Sequence, residues 1–186
     1  CFLAGGVLGS TKFSGVGWTK FFRMEVSWTF MPFDRHFPYW PARLPKSLDY
    51  PQVPLWDFLE TSARRYPEKP AIIYYGTRLS YRQLKEEAER VAAALAARGV
   101  VKGDRVALYM QNAPQFVIAF YGILRANAMA VPLNPMLLED ELAYMLQDSG
   151  AKLIFAGQDL AERVMAVKDR LPVLDVVTVT YRDYLP

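Results

Sequence analysis

From Arg105 onward, short β-rich runs and helical patterns take strict turns along the chain. Residues 105–110 (RVALYM) read as a buried strand, and residues 114–126 as a helix that is apolar nearly all round. A second strand is expected over 128–133, a helix over 138–148, and a third strand over 152–156. A helix over 159–171, closed by Pro172, and a β-branched strand over 173–180 complete the series. Strands separated by helices of this length imply a parallel sheet covered on both faces, an α/β fold. Helix 114–126 should then be packed on several sides, because it has no polar face to offer water.

Upstream, Leu55, Phe58 and Leu59 recur at helical spacing, and Tyr66-Pro67 ends that element. Residues 71–75 form a β-rich run, which Gly76-Thr77 turns toward Arg78-Leu79. Ser80 opens the next helix, and Gln83, three residues on, completes a capping box. Leu84, Ala88, Val91, Ala92 and Leu95 share one face of it. Lys85, Glu86, Glu89 and Arg90 lie mostly on the other, with Glu86 and Arg90 at ion-pair spacing. Gly99 stops this helix, and Asn112 is the expected cap of the next, with Pro114 in its first turn.

Composition removes several classes of function. The 186 residues hold 22 Lys and Arg against 19 Asp and Glu, a formal charge of +3. Residues 1–46 carry six basic and two acidic groups, so the surplus belongs to the start of the chain. That segment is also rich in aromatics, which is better read as an arm docked on its own protein than as an element that binds nucleic acid or a membrane surface. One cysteine, Cys1, and one histidine, His36, exclude an internal disulfide and any Cys-rich or His-rich metal site. The longest apolar run, residues 116–124, is about half of a bilayer span, so no transmembrane helix is expected.

Local motifs add little chemistry. The stretch GGVLGSTK (5–12) lacks a lysine directly after its second glycine, so it is not a phosphate loop. The loop 110–115 has no glycine, which removes the dinucleotide fingerprint, and no G-x-S-x-G elbow exists. His36, in RHFPYWP, reads as part of an extended, proline-stiffened docking segment. Consecutive acidic residues on a helix point in different directions, so Glu139-Asp140-Glu141 reads as a solvated first turn that suits the helix dipole. Alone, these residues describe part of an α/β enzyme or binding domain.

Three stretches, in order, carry a resemblance: VPLWDFLETSARRYPEKPAIIYYG (53–76), residues 78–135 and ELAYMLQDSGAKLIFA (141–156). Within the second, LSYRQL (79–84) and LRANAMAVPLNP (124–135) are similar to the first two core motifs of the adenylate-forming ligase superfamily. The chain resembles the N-terminal part of an AMP-forming acyl-CoA synthetase, of the long-chain fatty-acid–CoA ligase kind, over roughly residues 44–180. Asn127 departs from it, standing where the family usually has glycine. Asparagine tolerates the left-handed region better than most residues, so the turn is expected to survive.

The resemblance implies a partial parallel-sheet sandwich, the first part of the large domain of such a ligase. The chain is expected to divide into a non-native or disordered leader (1–23), an extended aromatic and Pro-rich arm (24–52) and, as the resemblance implies, an incomplete AMP-binding domain (53–186). The resemblance implies that the parent enzyme takes a fatty or other carboxylic acid to acyl-AMP and then acyl-CoA, using ATP, Mg²⁺ and CoA. The phosphate-holding loop ending in Pro-Lys-Gly, the ribose-binding Asp, the magnesium Glu and the adenylation Lys have no counterpart here. No catalytic or metal-binding residue is therefore assigned, and the chain is expected to be inactive alone. By position, Leu133, Asn134 and Pro135 would line the channel for CoA. Against this stand a plain β-to-α turn at those residues and, for the whole chain, a stand-alone, non-catalytic α/β binding or interaction module. A cytoplasmic location, with or without peripheral membrane contact, and self-association through exposed apolar surface complete the expectations.

Overall fold

The computed structural model describes residues 36–48, 50–171 and 174–186. The chain divides into two units, Cys1–Tyr50 and Pro51–Pro186. The leader expected over 1–23 lies outside the described residues. In the first unit the proline-stiffened stretch is locally a 3₁₀ turn, Phe37–Tyr39, rather than an extended run. Pro38 fixes a φ that suits the opening of such a turn. The His36 ring lies 4.5 Å from Phe37 and 5.5 Å from Trp40, and the Trp40 indole N–H donates to the Pro45 carbonyl at 3.2 Å.

The second unit opens with α1 (Leu55–Arg65) and a hairpin, β1 (Pro70–Tyr74) and β2 (Thr77–Ser80). Tyr74 pairs with Thr77, so Tyr75 and Gly76 form a two-residue turn. Both have positive φ, +47° and +91°, as a type I′ turn demands. Helix α2 (Tyr81–Ala97) starts at the expected capping box: the Gln83 N–H donates to Ser80 Oγ, and the Ser80 N–H donates to Gln83 Oε1. Gly99, at φ +78°, follows its C-terminus.

The rest alternates as expected: β3 (Arg105–Tyr109), α3 (Pro114–Arg125), β4 (Met129–Pro132), α4 (Glu139–Ser149), β5 (Leu153–Gly157), α5 (Ala161–Lys168) and β6 (Asp175–Val179). The four strands form one parallel sheet in the order β4-β3-β5-β6. Alternation along the central strands assigns residues to its two faces. Val106, Leu108, Leu153 and Phe155 pack with Leu95 of α2 and Ala119 and Ile123 of α3. Ala107, Tyr109, Ile154 and Ala156 pack with Leu142 and Leu146 of α4 and Val164 and Val167 of α5. No residue of α3 before Arg125 is exposed, because the helix is enclosed by the sheet on one side and by α1 and α2 on the other.

Three local expectations are corrected. Trp56, Leu59 and Ala63 form the buried face of α1, while Leu55 and Phe58 are 57% and 49% exposed. The stripe turns by one residue because the largest ring, Trp56, takes the core position beside Leu79, Leu84 and Ile118. Arg90 pairs with Glu87 at 2.7 Å, not Glu86, and the i,i+4 pair is Lys85–Glu89 at 2.8 Å. Ala113, not Asn112, occupies the N-cap of α3 and makes no side-chain cap. Pro114 at the first helical position has no N–H to cap, which removes one of the groups a cap would serve. No helix among the described residues is long and apolar enough to cross a membrane.

Candidate functional site

The strand order has a topological consequence. From β3 the chain passes through α3 to β4 on one side; β5, on the other side of β3, leads away through α5 to β6. Helices α3 and α5 lie on opposite faces, so the loops leaving β3 and β5 diverge. In open parallel sheets this divergence leaves a crevice outside the carboxyl ends of the strands, where ligands are taken.

Beside it, at the carboxyl ends of β3 and β4, lies a crevice of about 300 Å³. Residues 110–112 form one wall, residues 132–135 the other, with Phe116 of α3 contributing. All three residues singled out by the resemblance border it, and each is held differently. Leu133 is 4% exposed, its side chain in the core below, and its N–H donates to Leu108 O at 2.8 Å. Asn134 is exposed, and its Oδ1 accepts from the Met136 N–H at 2.9 Å in a local turn. The Pro135 carbonyl accepts from Arg163 Nη1 at 3.3 Å.

Tyr109 and Arg163 support this loop and were not singled out from the sequence. The Tyr109 hydroxyl, on a fully buried ring, donates to Leu137 O at 2.7 Å, and Arg163 Nη1 donates to the same carbonyl at 3.3 Å. A buried phenol needs a partner, and the loop's carbonyls supply it. The one available signal was a polar tip at the buried, carboxyl end of the strand RVALY, after three apolar residues.

The crevice wall carries no carboxylate, imidazole, lysine or arginine. Its chemistry is that of amides and apolar surface, suited to binding and not to proton transfer. A larger crevice of about 400 Å³ lies between α1 and α2, lined by Glu60, Arg64, Arg82, Lys85 and Glu86 among others. Its charges are of mixed sign, and Arg82 and Lys85 are already paired with Glu68 and Glu89. Of the acidic turn, Asp140 accepts from Arg170 at 2.7 Å and Glu141 from the Leu138 N–H at 3.0 Å. His36 belongs to the other unit.

Residues 59–186 match the family model described as AMP-binding enzyme. The chain belongs to that family. It is 37% identical over 148 residues to a long-chain-fatty-acid–CoA ligase of Bacillus subtilis (strain 168), covering 79% of this chain and 26% of that protein. It is 40% identical over 110 residues to surfactin synthase subunit 3 of the same organism, covering 59% of this chain and 9% of that protein. Among solved structures it is similar to the anthranilate CoA ligase AuaEII in complex with anthranoyl-AMP, with TM-score 0.67 and 28% identity over 72% of this chain and 26% of that one. The chain thus spans about a quarter of the length of the ligases it matches. Its relatives include acyl-CoA ligases of the adenylate-forming family, and its α/β fold with a parallel four-stranded sheet matches the N-terminal region of such ligase structures.

Proposed function

We propose that this chain supplies part of the large domain of an ATP-dependent acyl-CoA ligase that converts a fatty or other carboxylic acid to acyl-AMP and then acyl-CoA. The match to the Bacillus subtilis ligase carries the reading: it aligns 148 residues, against 110 for the surfactin synthase subunit. ATP, Mg²⁺ and CoA are the co-reactants of that reading, and the cytoplasm, with or without peripheral membrane contact, is its location.

Leu133, Asn134 and Pro135 then border the CoA channel. The lining suits one part of that molecule: amides at Gln111, Asn112 and Asn134 and apolar surface at Phe116 can accompany an uncharged pantetheine arm. With no cation on the wall, the phosphates of CoA would be held elsewhere. Because the Met136 N–H occupies its Oδ1, Asn134 would meet a ligand there as a donor, through its NH₂.

The chain alone is read as catalytically incomplete. Among its 186 residues no Thr/Ser/Gly-rich run ends in Pro-Lys-Gly, so a triphosphate would lack its cradle of donors. Pyrophosphate release, measured with the purified chain, ATP, Mg²⁺ and a panel of fatty acids, should stay at background. Turnover that persists through purification to homogeneity would overturn this.

A further inference from the structure

The crevice outside the carboxyl ends of β3 and β5, where sheets of this topology take ligands, is filled here by the protein itself. The residues that follow β6 cross it. Thr180 O accepts from Gln115 Nε2 at 2.7 Å, and Gln115, at the start of α3, is only 8% exposed. One residue on, the Tyr181 hydroxyl accepts from the Gln111 backbone N–H at 2.9 Å. From the β5 side, Gly157 makes the space: a methyl group on its Cα would overlap the Tyr181 hydroxyl and stand 2.7 Å from Asp159 Oδ1. The φ of Gly157 is not in the left-handed region, so it is the room beside it, not its backbone angle, that calls for glycine.

We propose that Tyr181 is a positioning residue that closes the β3/β5 crevice and clamps the loop 110–113 against the turn after β5. The loop it holds is the wall that the β3/β4 crevice shares, so the clamp shapes the space left for a ligand. The inference rests on this geometry alone and not on the ligase reading. Burial raises the phenol pKa above its ordinary value, and the neighbouring Asp159 carboxylate adds to this, so the hydroxyl stays protonated at neutral pH.

Hydrogen exchange of the full chain, followed by mass spectrometry on peptides covering β3, loop 110–113, α3 and β5, tests the clamp. Tyr181→Phe removes one oxygen and leaves the ring. Exchange of the Gln111 amide should rise about fivefold to tenfold, the loss of one hydrogen bond, with the β3 and α3 peptides unchanged. Gly157→Ala, which retains the hydroxyl but displaces it, should do the same. The double variant should exchange no faster than the faster single, since both act on one contact. Unchanged exchange at 110–113 in Tyr181→Phe would overturn the proposal. So would a uniform rise across β3, β5 and α3, the mark of general destabilisation. If Gly157→Ala does not fold, Tyr181→Phe decides the question by itself.

Discussion

At the residue scale, backbone conformation accounts for the asparagine at position 127. Asn127 sits at φ +57°, in the left-handed region, in the turn between α3 and β4. Its N–H donates to Leu124 O and its carbonyl accepts from Gly103 N, both at 3.0 Å, so the turn is closed despite the side chain. That much was legible: asparagine is among the few residues that visit this region at low cost. Asn127→Ala should therefore lose about 1 kcal/mol of unfolding free energy, while Asn127→Gly should change it by a few tenths at most. Urea titration of the three proteins checks the order, and an alanine variant as stable as the asparagine protein would contradict the assignment. Tyr75 was not legible in this way. A tyrosine at φ +47° is held there by the pairing of Tyr74 with Thr77, which no local preference of Tyr75 announces.

Among the elements, α2 and α3 pack closely at Gly122. A Cβ on Gly122 would stand 2.6 Å from both Cβ and Cγ1 of Val91 and 3.0 Å from Ala88 O. These are the stem of a β-branched side chain and a helix carbonyl, and neither can swing away. Gly122→Ala would gain about 1 kcal/mol of helix propensity and lose about 1–3 kcal/mol to overpacking. The expected outcome is a net loss of about 1 kcal/mol or more, read as a lower urea midpoint with an unchanged slope. A stabilised variant would show that the helices can separate freely. From the sequence, Gly122 was only a glycine inside an apolar run, and its use depends on which helix lies opposite.

For the whole molecule, the sheet leaves two edges: among the described residues β4 pairs only with β3, and β6 only with β5. Pro132 in β4 blunts one edge, since proline donates nothing to a ladder, while the β-branched run of β6 has no such guard. Exposed apolar side chains add to this, Met136, Leu138 and Tyr144 each being more than half exposed. The isolated chain should therefore bind a hydrophobic dye strongly and elute from a sizing column as oligomers. A monodisperse monomer with weak dye binding would favour a self-sufficient binding module over part of a ligase.

The alternation of β-rich and helical runs determined, by itself, the element types, their order and a parallel sheet covered on both faces. Local signals did as much for the capping box at Ser80 and Gln83 and for the stop at Gly99. These are properties of neighbouring residues, and hydrophobic periodicity reports them directly. The strand order β4-β3-β5-β6, the face of α1 that turns inward and the crevice filled by Tyr181 came only with the tertiary structure. Each depends on contacts between residues far apart in the chain, as with the 70 positions between Gln111 and Tyr181. A periodic pattern shows that a face must be buried; the partner that buries it is chosen by packing.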